Sequence, residues 1–284
     1  MSAVIIISLL IGLIIGTVLG LTGAGGSIFA VPLLIILLGL PINDAIGIAL
    51  GAVAVSAFIG TVSNWQAKYI LWIPALALGI GGALFAPLGK YLGNQVPGIF
   101  LLLGFSVLAF TIAIIMWRQS LTSPEHSKVV RSSPYISTDQ DYIEPICRFN
   151  DAGIFKLTSK CFFALLGAGV IVGLLSGLLG VGGGFLIVPV LLFITQVSMR
   201  QAVATSLLII TLISATGFFS FVTSSSAVDW QLLTQVCTGG LLGMLGGHLV
   251  ADKITGPQLQ RIFAISLVIT ILAMLGNQFF KGVI

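Results

Sequence analysis

Long runs of hydrophobic residues, separated by short polar or glycine-rich stretches, dominate the chain. A hydrocarbon core of about 30 Å needs about 20 consecutive apolar residues for one spanning helix. The pattern predicts ten membrane segments, at residues 3–22, 27–40, 45–63, 70–89, 98–117, 161–179, 184–197, 202–222, 231–251 and 259–280. Segments 27–40 and 184–197 are short for a crossing, and each follows a glycine cluster, so we expect broken or re-entrant elements there.

The composition supports a protein that lies in a membrane. Of the 284 residues, 57% are hydrophobic and 7% are charged, and the mean hydropathy is +1.18. A soluble domain carries roughly 25% charged residues. Eleven of the 20 charged residues lie between Arg118 and Lys160. This distribution excludes a cytosolic enzyme, a nucleic-acid-binding protein and a disordered protein, and it predicts an all-α polytopic membrane protein.

The two halves of the chain share a spacing of glycine and proline residues. Gly16, Gly20, Gly23, Gly25, Gly26 and Pro32 recur 157 positions later as Gly173, Gly177, Gly180, Gly182, Gly183 and Pro189. At an offset of 158, Trp72, Gly82 and Gly89 match Trp230, Gly240 and Gly247. We interpret this as an internal duplication with a first transmembrane repeat at 1–117, a polar linker at 118–160 and a second repeat at 161–284.

The distribution of lysine and arginine distinguishes two topologies, because cytoplasmic loops carry an excess of positive charge. If all ten segments cross, the five-segment repeats are inverted, and ten cations lie on the linker side against Lys90 and Lys281 on the other. If the short segments only dip into the membrane, eight crossings make the repeats parallel, and the cations divide eight to four. The sequence favours ten segments in two inverted repeats, with the linker cytoplasmic and both termini outside.

The two glycine-rich stretches, Leu21–Ser27 and Leu179–Phe185, are the candidates for a binding site. Clustered glycines break a helix, and a break inside the bilayer exposes backbone N–H groups that need partners. Each break precedes a short apolar helix, whose first N–H groups and positive dipole end point into the break. Two such breaks in equivalent positions predict an anion or substrate site. The alternative is a tight hairpin that serves close helix packing.

Hydroxyl residues on the helix that follows the second break complete the candidate set. A buried hydroxyl often bonds only the carbonyl four residues earlier, but as a group some are expected to face the pathway. The predicted substrate-binding residues are Thr22, Gly23, Gly25, Gly26, Ser27, Gly180, Gly182, Gly183, Gly184, Thr205 and Ser206.

The remaining glycine, basic and cysteine residues have structural interpretations. Gly12, Gly16 and Gly20, at four-residue spacing, predict close helix packing. Lys90 is expected to extend toward the lipid headgroups. The three cysteines are expected to be small apolar residues rather than parts of a disulfide or a metal site. No enzyme motif is present in the sequence, so we expect neither an enzyme nor a cofactor.

Residues 21–32 and 178–189 resemble the repeated signature of the TauE/SafE family of membrane transporters. The stretches Gly79–Gly82 and Gly239–Gly243 are similar to the family's glycine-rich run near the end of the fourth helix. The resemblance covers nearly the whole chain except the linker. It implies movement of small sulfur-containing anions, such as sulfite, sulfonates or sulfoacetate, across the cytoplasmic (inner) membrane, often as export.

The residues and the resemblance together predict a secondary transporter of small anions. The alternatives are an anion channel or passive pore and, third, an intramembrane enzyme or assembly factor. The expected partners are a small anionic substrate, with protons as a candidate coupling ion, and the lipid bilayer, but no nucleic acid. The oligomeric state is left open.

Overall fold

The structure is a computed structural model of the chain. It describes residues 2–23, 26–65, 69–93, 95–96, 148–149, 155–156, 159–179, 183–195, 197, 199–224 and 228–251, together with isolated positions within 100–118 and 261–276.

Eight helices make up most of the described residues. They are α1 (Ser2–Thr22), α2 (Gly26–Leu38), α3 (Ile42–Trp65), α4 (Trp72–Gly93), α5 (Ser159–Leu179), α6 (Gly184–Thr195), α7 (Met199–Ser224) and α8 (Trp230–Ala251). Their bounds differ from the corresponding predictions by four residues at most. Six are long and apolar enough to cross a membrane, whereas α2 and α6 have 13 and 12 residues. The predicted segments 98–117 and 259–280 lie largely outside the described residues.

Large apolar side chains cover the outer surface of these helices. Leu84, Leu249 and Phe219 are each about 70% exposed. A soluble protein rarely presents so many contiguous apolar side chains, because each one in contact with water costs free energy. Hydrocarbon tails remove that cost, so the outer surface fits a multi-pass membrane protein.

Glycines let α1 pack directly on α8. A Cβ atom added to Gly12, Gly16 or Gly20 would meet the carbonyl oxygen of Val236, Gly240 or Met244, respectively. Residue numbers rise together along the two helices, so α1 and α8 run parallel. The predicted packing role of these glycines is confirmed, because any side chain there would push the backbones apart.

A second contact of the same kind joins α4 and α5. A Cβ atom added to Gly169, Gly173 or Gly177 would meet the carbonyl oxygen of Leu78, Gly82 or Ala86, respectively. Each of these glycines lies 157 residues after its counterpart in α1, and each carbonyl lies 158 residues before its counterpart in α8. The first helix of each half therefore packs against the fourth helix of the other half.

Helices α3 and α7 meet in the centre of the bundle and run antiparallel. A Cβ atom added to Gly51 of α3 would lie 2.9 Å from a ring carbon of Phe218. A Cβ atom added to Gly60 would lie 3.1 Å from a methyl carbon of Leu207. Residue numbers rise along α3 as they fall along α7. These two helices also contact α8 and α4, respectively, so they form the core that links the two halves.

Two details of the described residues depart from the predictions. Arg148–Phe149 pairs antiparallel with Phe155–Lys156, which adds a two-residue β1–β2 hairpin within the predicted linker to an otherwise helical fold. Cys161, at the start of α5, is disulfide-bonded, which contradicts its interpretation as a simple apolar residue. Cys237 carries a free thiol.

Candidate functional site

The first glycine break joins α1 to α2. Gly23 has φ of +66° and donates its N–H to the Leu19 carbonyl over 2.7 Å, so it ends α1 as a left-handed C-terminal cap. Helix α2 then starts at Gly26, where an added Cβ atom would lie 2.5 Å from the Ile15 carbonyl oxygen. Only glycine lets α2 begin this close to the side of α1.

Two buried hydroxyl groups of α7 contact the backbone around this break. Ser206 Oγ lies 2.7 Å from the Gly23 carbonyl oxygen and 2.8 Å from that of Val203, and its single proton serves both acceptors. Thr205 Oγ1 accepts a hydrogen bond from the Leu71 N–H over 3.1 Å. Helix α7 therefore holds both the first break and the entry to α4.

The second glycine break joins α5 to α6. Gly183 has φ of +66°, and its carbonyl accepts the N–H groups of Leu186 at 3.0 Å and Ile187 at 3.3 Å. It therefore occupies the N-cap position of α6. An added Cβ atom would lie 2.9 Å from Ser176 Cβ, so any side chain at position 183 would collide with α5.

The structure distributes the predicted site residues over both breaks. Gly25, Gly180 and Gly182, and the side chain of Ser27, lie outside the described residues. Thr22 bonds the Val18 carbonyl over 2.8 Å, and Gly184 is the first residue of α6. The short helices α2 and α6 contact each other, whereas Gly23 and Gly183 face different helices, α7 and α5.

Most of the other hydroxyl groups bond the backbone of their own helix. Thr61 donates to the Ala57 carbonyl at 2.9 Å, Thr195 to that of Leu191 at 2.6 Å and Thr211 to that of Leu207 at 2.8 Å. These bonds satisfy a hydroxyl in an apolar environment without a partner helix.

Lys90 has an environment that the sequence did not reveal. Its Nζ lies 5.3 Å from the ring centroid of Phe221, which is 2% exposed. The ammonium group is therefore in a cation–π contact with a side chain of another helix, near the ends of α4 and α7. Spacing could not reveal this contact, because Phe221 comes from α7 and Lys90 from α4.

No group of three His, Cys, Asp or Glu side chains within the described residues could hold a metal ion. The breaks instead offer backbone N–H groups at two helix N-termini, which favour negative charge.

Helices long and apolar enough to span a membrane, two of them preceded by an interruption and a short helix, are typical of multi-pass membrane transporters. The chain belongs to the TauE/SafE family, because the profile described as "Sulfite exporter TauE/SafE" matches residues 8–274. The resemblance drawn from the glycine motifs is thereby confirmed.

Curated relatives agree with this assignment. A "Probable membrane transporter protein" of Xylella fastidiosa (strain 9a5c) is 31% identical over 266 residues, covering 89% of this chain and 88% of the relative. The "Probable membrane transporter protein YdhB" of Bacillus subtilis (strain 168) is 26% identical over 243 residues, covering 84% and 87%. No solved structure is significantly similar to the chain. Both relatives are named as probable membrane transporters, which fits the expectation of a non-enzyme.

Proposed function

We propose that the protein is a secondary transporter that exports small sulfur-containing anions, such as sulfite, sulfonates or sulfoacetate, across the cytoplasmic membrane. The family match carries this proposal, since its profile is described as a sulfite exporter. The relatives extend it no further than membrane transport, so substrate, direction and proton coupling are the points to test.

The proposed substrate site lies at the two breaks. Gly25, Gly26 and Ser27 would present the N-terminus of α2, and Gly180, Gly182, Gly183 and Gly184 that of α6. The first N–H groups of a helix have no intrahelical partner, and the dipole adds about half a positive charge there. An oxyanion gains from both without meeting a fixed cation, which allows its release.

Thr22, Gly23, Thr205 and Ser206 have a supporting part in this proposal. The Gly23 N–H and carbonyl are occupied by Leu19 and Ser206. These groups therefore fix the geometry of the first break while α2 presents its N-terminus, and a movement of α7 would change that geometry.

The topology that we propose has two inverted repeats of five segments, at 1–117 and 161–284, joined by a cytoplasmic linker at 118–160, with both termini outside. The antiparallel contact between α3 and α7, which are equivalent helices, supports it. A two-fold axis in the membrane plane reverses equivalent helices, whereas an axis along the membrane normal keeps them parallel.

Cysteine labelling tests this topology. In a chain with its natural cysteines replaced, Ser123→Cys should react only after the cells are permeabilised, and Ser225→Cys should react from outside. Reaction of both from the same side would contradict the inverted arrangement. Because a disulfide such as that of Cys161 is typical of oxidising compartments, the Ser123 result also tests the cytoplasmic assignment of the linker.

Reconstituted flux tests the function. Proteoliposomes should show saturable uptake of sulfite or a sulfonate, compared with sulfate and thiosulfate, with and without a pH gradient. A rate that rises linearly with concentration, together with single-channel conductance in a planar bilayer, would identify a passive pore instead.

Two glycine variants connect this flux to the site. Gly183→Ala places a side chain at positive φ against Ser176 and should abolish flux, whereas nothing lies within 4 Å of a Cβ atom added to Gly246. Gly246→Ala is therefore the matched control and should transport normally. Equal flux in both variants at equal membrane expression would remove the second break from the site.

A further inference from the structure

Ser56 and Ser214 stand apart from the other hydroxyl residues of the bundle. Both are 0% exposed, and neither Oγ has a hydrogen-bond partner among the described residues. Ser8, which is equally buried, donates to the Val4 carbonyl over 2.7 Å. A buried polar atom normally has a partner, so two that lack one require an explanation.

The two serines occupy equivalent positions in the two halves. They are 158 residues apart, the same offset that relates Trp72 to Trp230 and Gly82 to Gly240. Two unrelated packing accidents would not be expected to fall on the same position of each repeat.

Both serines lie where α3 and α7 cross. Ser56 falls between Gly51, which faces Phe218, and Gly60, which faces Leu207. By interpolation, Ser214 lies within about two residues of the position opposite Ser56, or roughly 3 Å of helix rise. Each serine is near the middle of its helix, so the pair lies at the depth of the bundle centre.

The surroundings of the pair favour an anion over a cation. Helices α4, α7 and α8 contain no carboxylate, and Asp44 of α3 lies in the first turn of that helix. A hydroxyl group can rotate to donate a hydrogen bond to an oxyanion. Ser56 Oγ packs against Gly240 of α8, where it would lie 2.5 Å from an added Cβ atom, so only a glycine leaves the hydroxyl group its place beside the α8 backbone.

The pair also lies deeper in the bundle than the first break. Ser214 follows Ser206, which bonds the Gly23 carbonyl, by eight residues of α7, which is about 12 Å along the helix. An ion that leaves the first break along α7 would therefore reach the pair about two turns later.

We infer that Ser56 and Ser214 form a central binding position for a small oxyanion, to which each half of the protein donates one hydroxyl group as the ion passes between the two breaks. This inference rests on the proposed function. It adds a position on the pathway that the glycine breaks do not supply.

The test compares Ser56→Ala, Ser214→Ala and the double variant with Ser8→Ala, whose hydroxyl already has a backbone partner. Binding of radiolabelled sulfite to purified protein and its uptake into proteoliposomes are measured beside the melting temperature. Each central variant should bind sulfite roughly 10- to 150-fold more weakly, as expected for one lost hydrogen bond to a charged group. Its melting temperature should equal or exceed that of the wild type, because the substitution removes an unpartnered polar atom.

The outcomes separate this inference from the proposed function. If the wild type transports sulfite and the central variants bind it within twofold of Ser8→Ala, the inference is wrong and the function stands. If the wild type shows no saturable flux of sulfite, sulfonate, sulfate or thiosulfate, the proposed function fails and the inference fails with it.

Discussion

Substitution of Gly243 by alanine tests whether the α1–α8 contact stabilises the protein through direct backbone packing. An added Cβ atom would overlap the Leu13 carbonyl oxygen and lie 2.8 Å from the Thr17 nitrogen, 0.6 Å short of the 3.4 Å at which ordinary contact begins. The helices must therefore separate by more than half an ångström, and a gap of about 0.5–1 Å forfeits a quarter to a half of each dispersion contact. We expect a loss of about 1–3 kcal/mol, the range for overpacking.

Gly246→Ala, three residues further along α8, is the control. It gains helix propensity and meets nothing within 4 Å. With about 2–4 °C in melting temperature for each kcal/mol, Gly243→Ala should melt roughly 2–12 °C below Gly246→Ala in the same detergent. Equal melting temperatures would show that the two helices can separate without cost, and the packing argument would then be wrong.

Five other substitutions test individual contacts, each by melting temperature. Gly39→Ala should cost roughly 1–2 kcal/mol for its positive φ alone, whereas Gly23→Ala should cost more because its side chain also meets α7. Ser206→Ala leaves the Gly23 carbonyl without this partner and should lose about 1–3 kcal/mol. Lys90→Met removes the cation over Phe221 and should lower the free energy of unfolding by about 0.5–2 kcal/mol, whereas Lys90→Arg keeps a cation and should be as stable as the wild type. Equal melting temperatures of the wild type and both Lys90 variants would argue against the contact.

The membrane segments were predictable because lipid imposes a simple condition on the chain. Every backbone group must be bonded within the segment, so a long apolar run has little choice but to form a helix. The eight predicted segments within the described ranges are helices for this reason. The short lengths of α2 and α6 follow from the glycines at their starts.

The partners of the helices were not predictable in the same way. A face of glycines at four-residue spacing indicates close packing but does not specify which helix packs there. The spacing of Gly12, Gly16 and Gly20 does not identify α8 as the partner of α1, because α8 lies more than 200 residues away in the sequence. The same holds for Lys90 and its ring contact.

For the hydroxyl groups, the sequence predicts hydrogen-bond partners within the same helix but not partners on other helices. Back-bonding to the preceding turn correctly describes Thr61 and Thr211, because that partner lies in the same helix. It fails for Ser56 and Ser214, and it misses the second acceptor of Ser206, the Gly23 carbonyl, because that partner lies outside α7. Which glycines need a positive φ was likewise visible only in the backbone.

The exchange of partners between the two halves has a consequence for the synthesis of the protein. Helix α1 is made before its partner α8, which begins about 200 residues later, a delay of roughly 10–40 s at 5–20 residues per second. During that time the glycine face of α1 has only lipid or the insertion machinery for contact. Neither half can complete its packing alone, so the nascent chain remains open to degradation until the last helices enter the membrane.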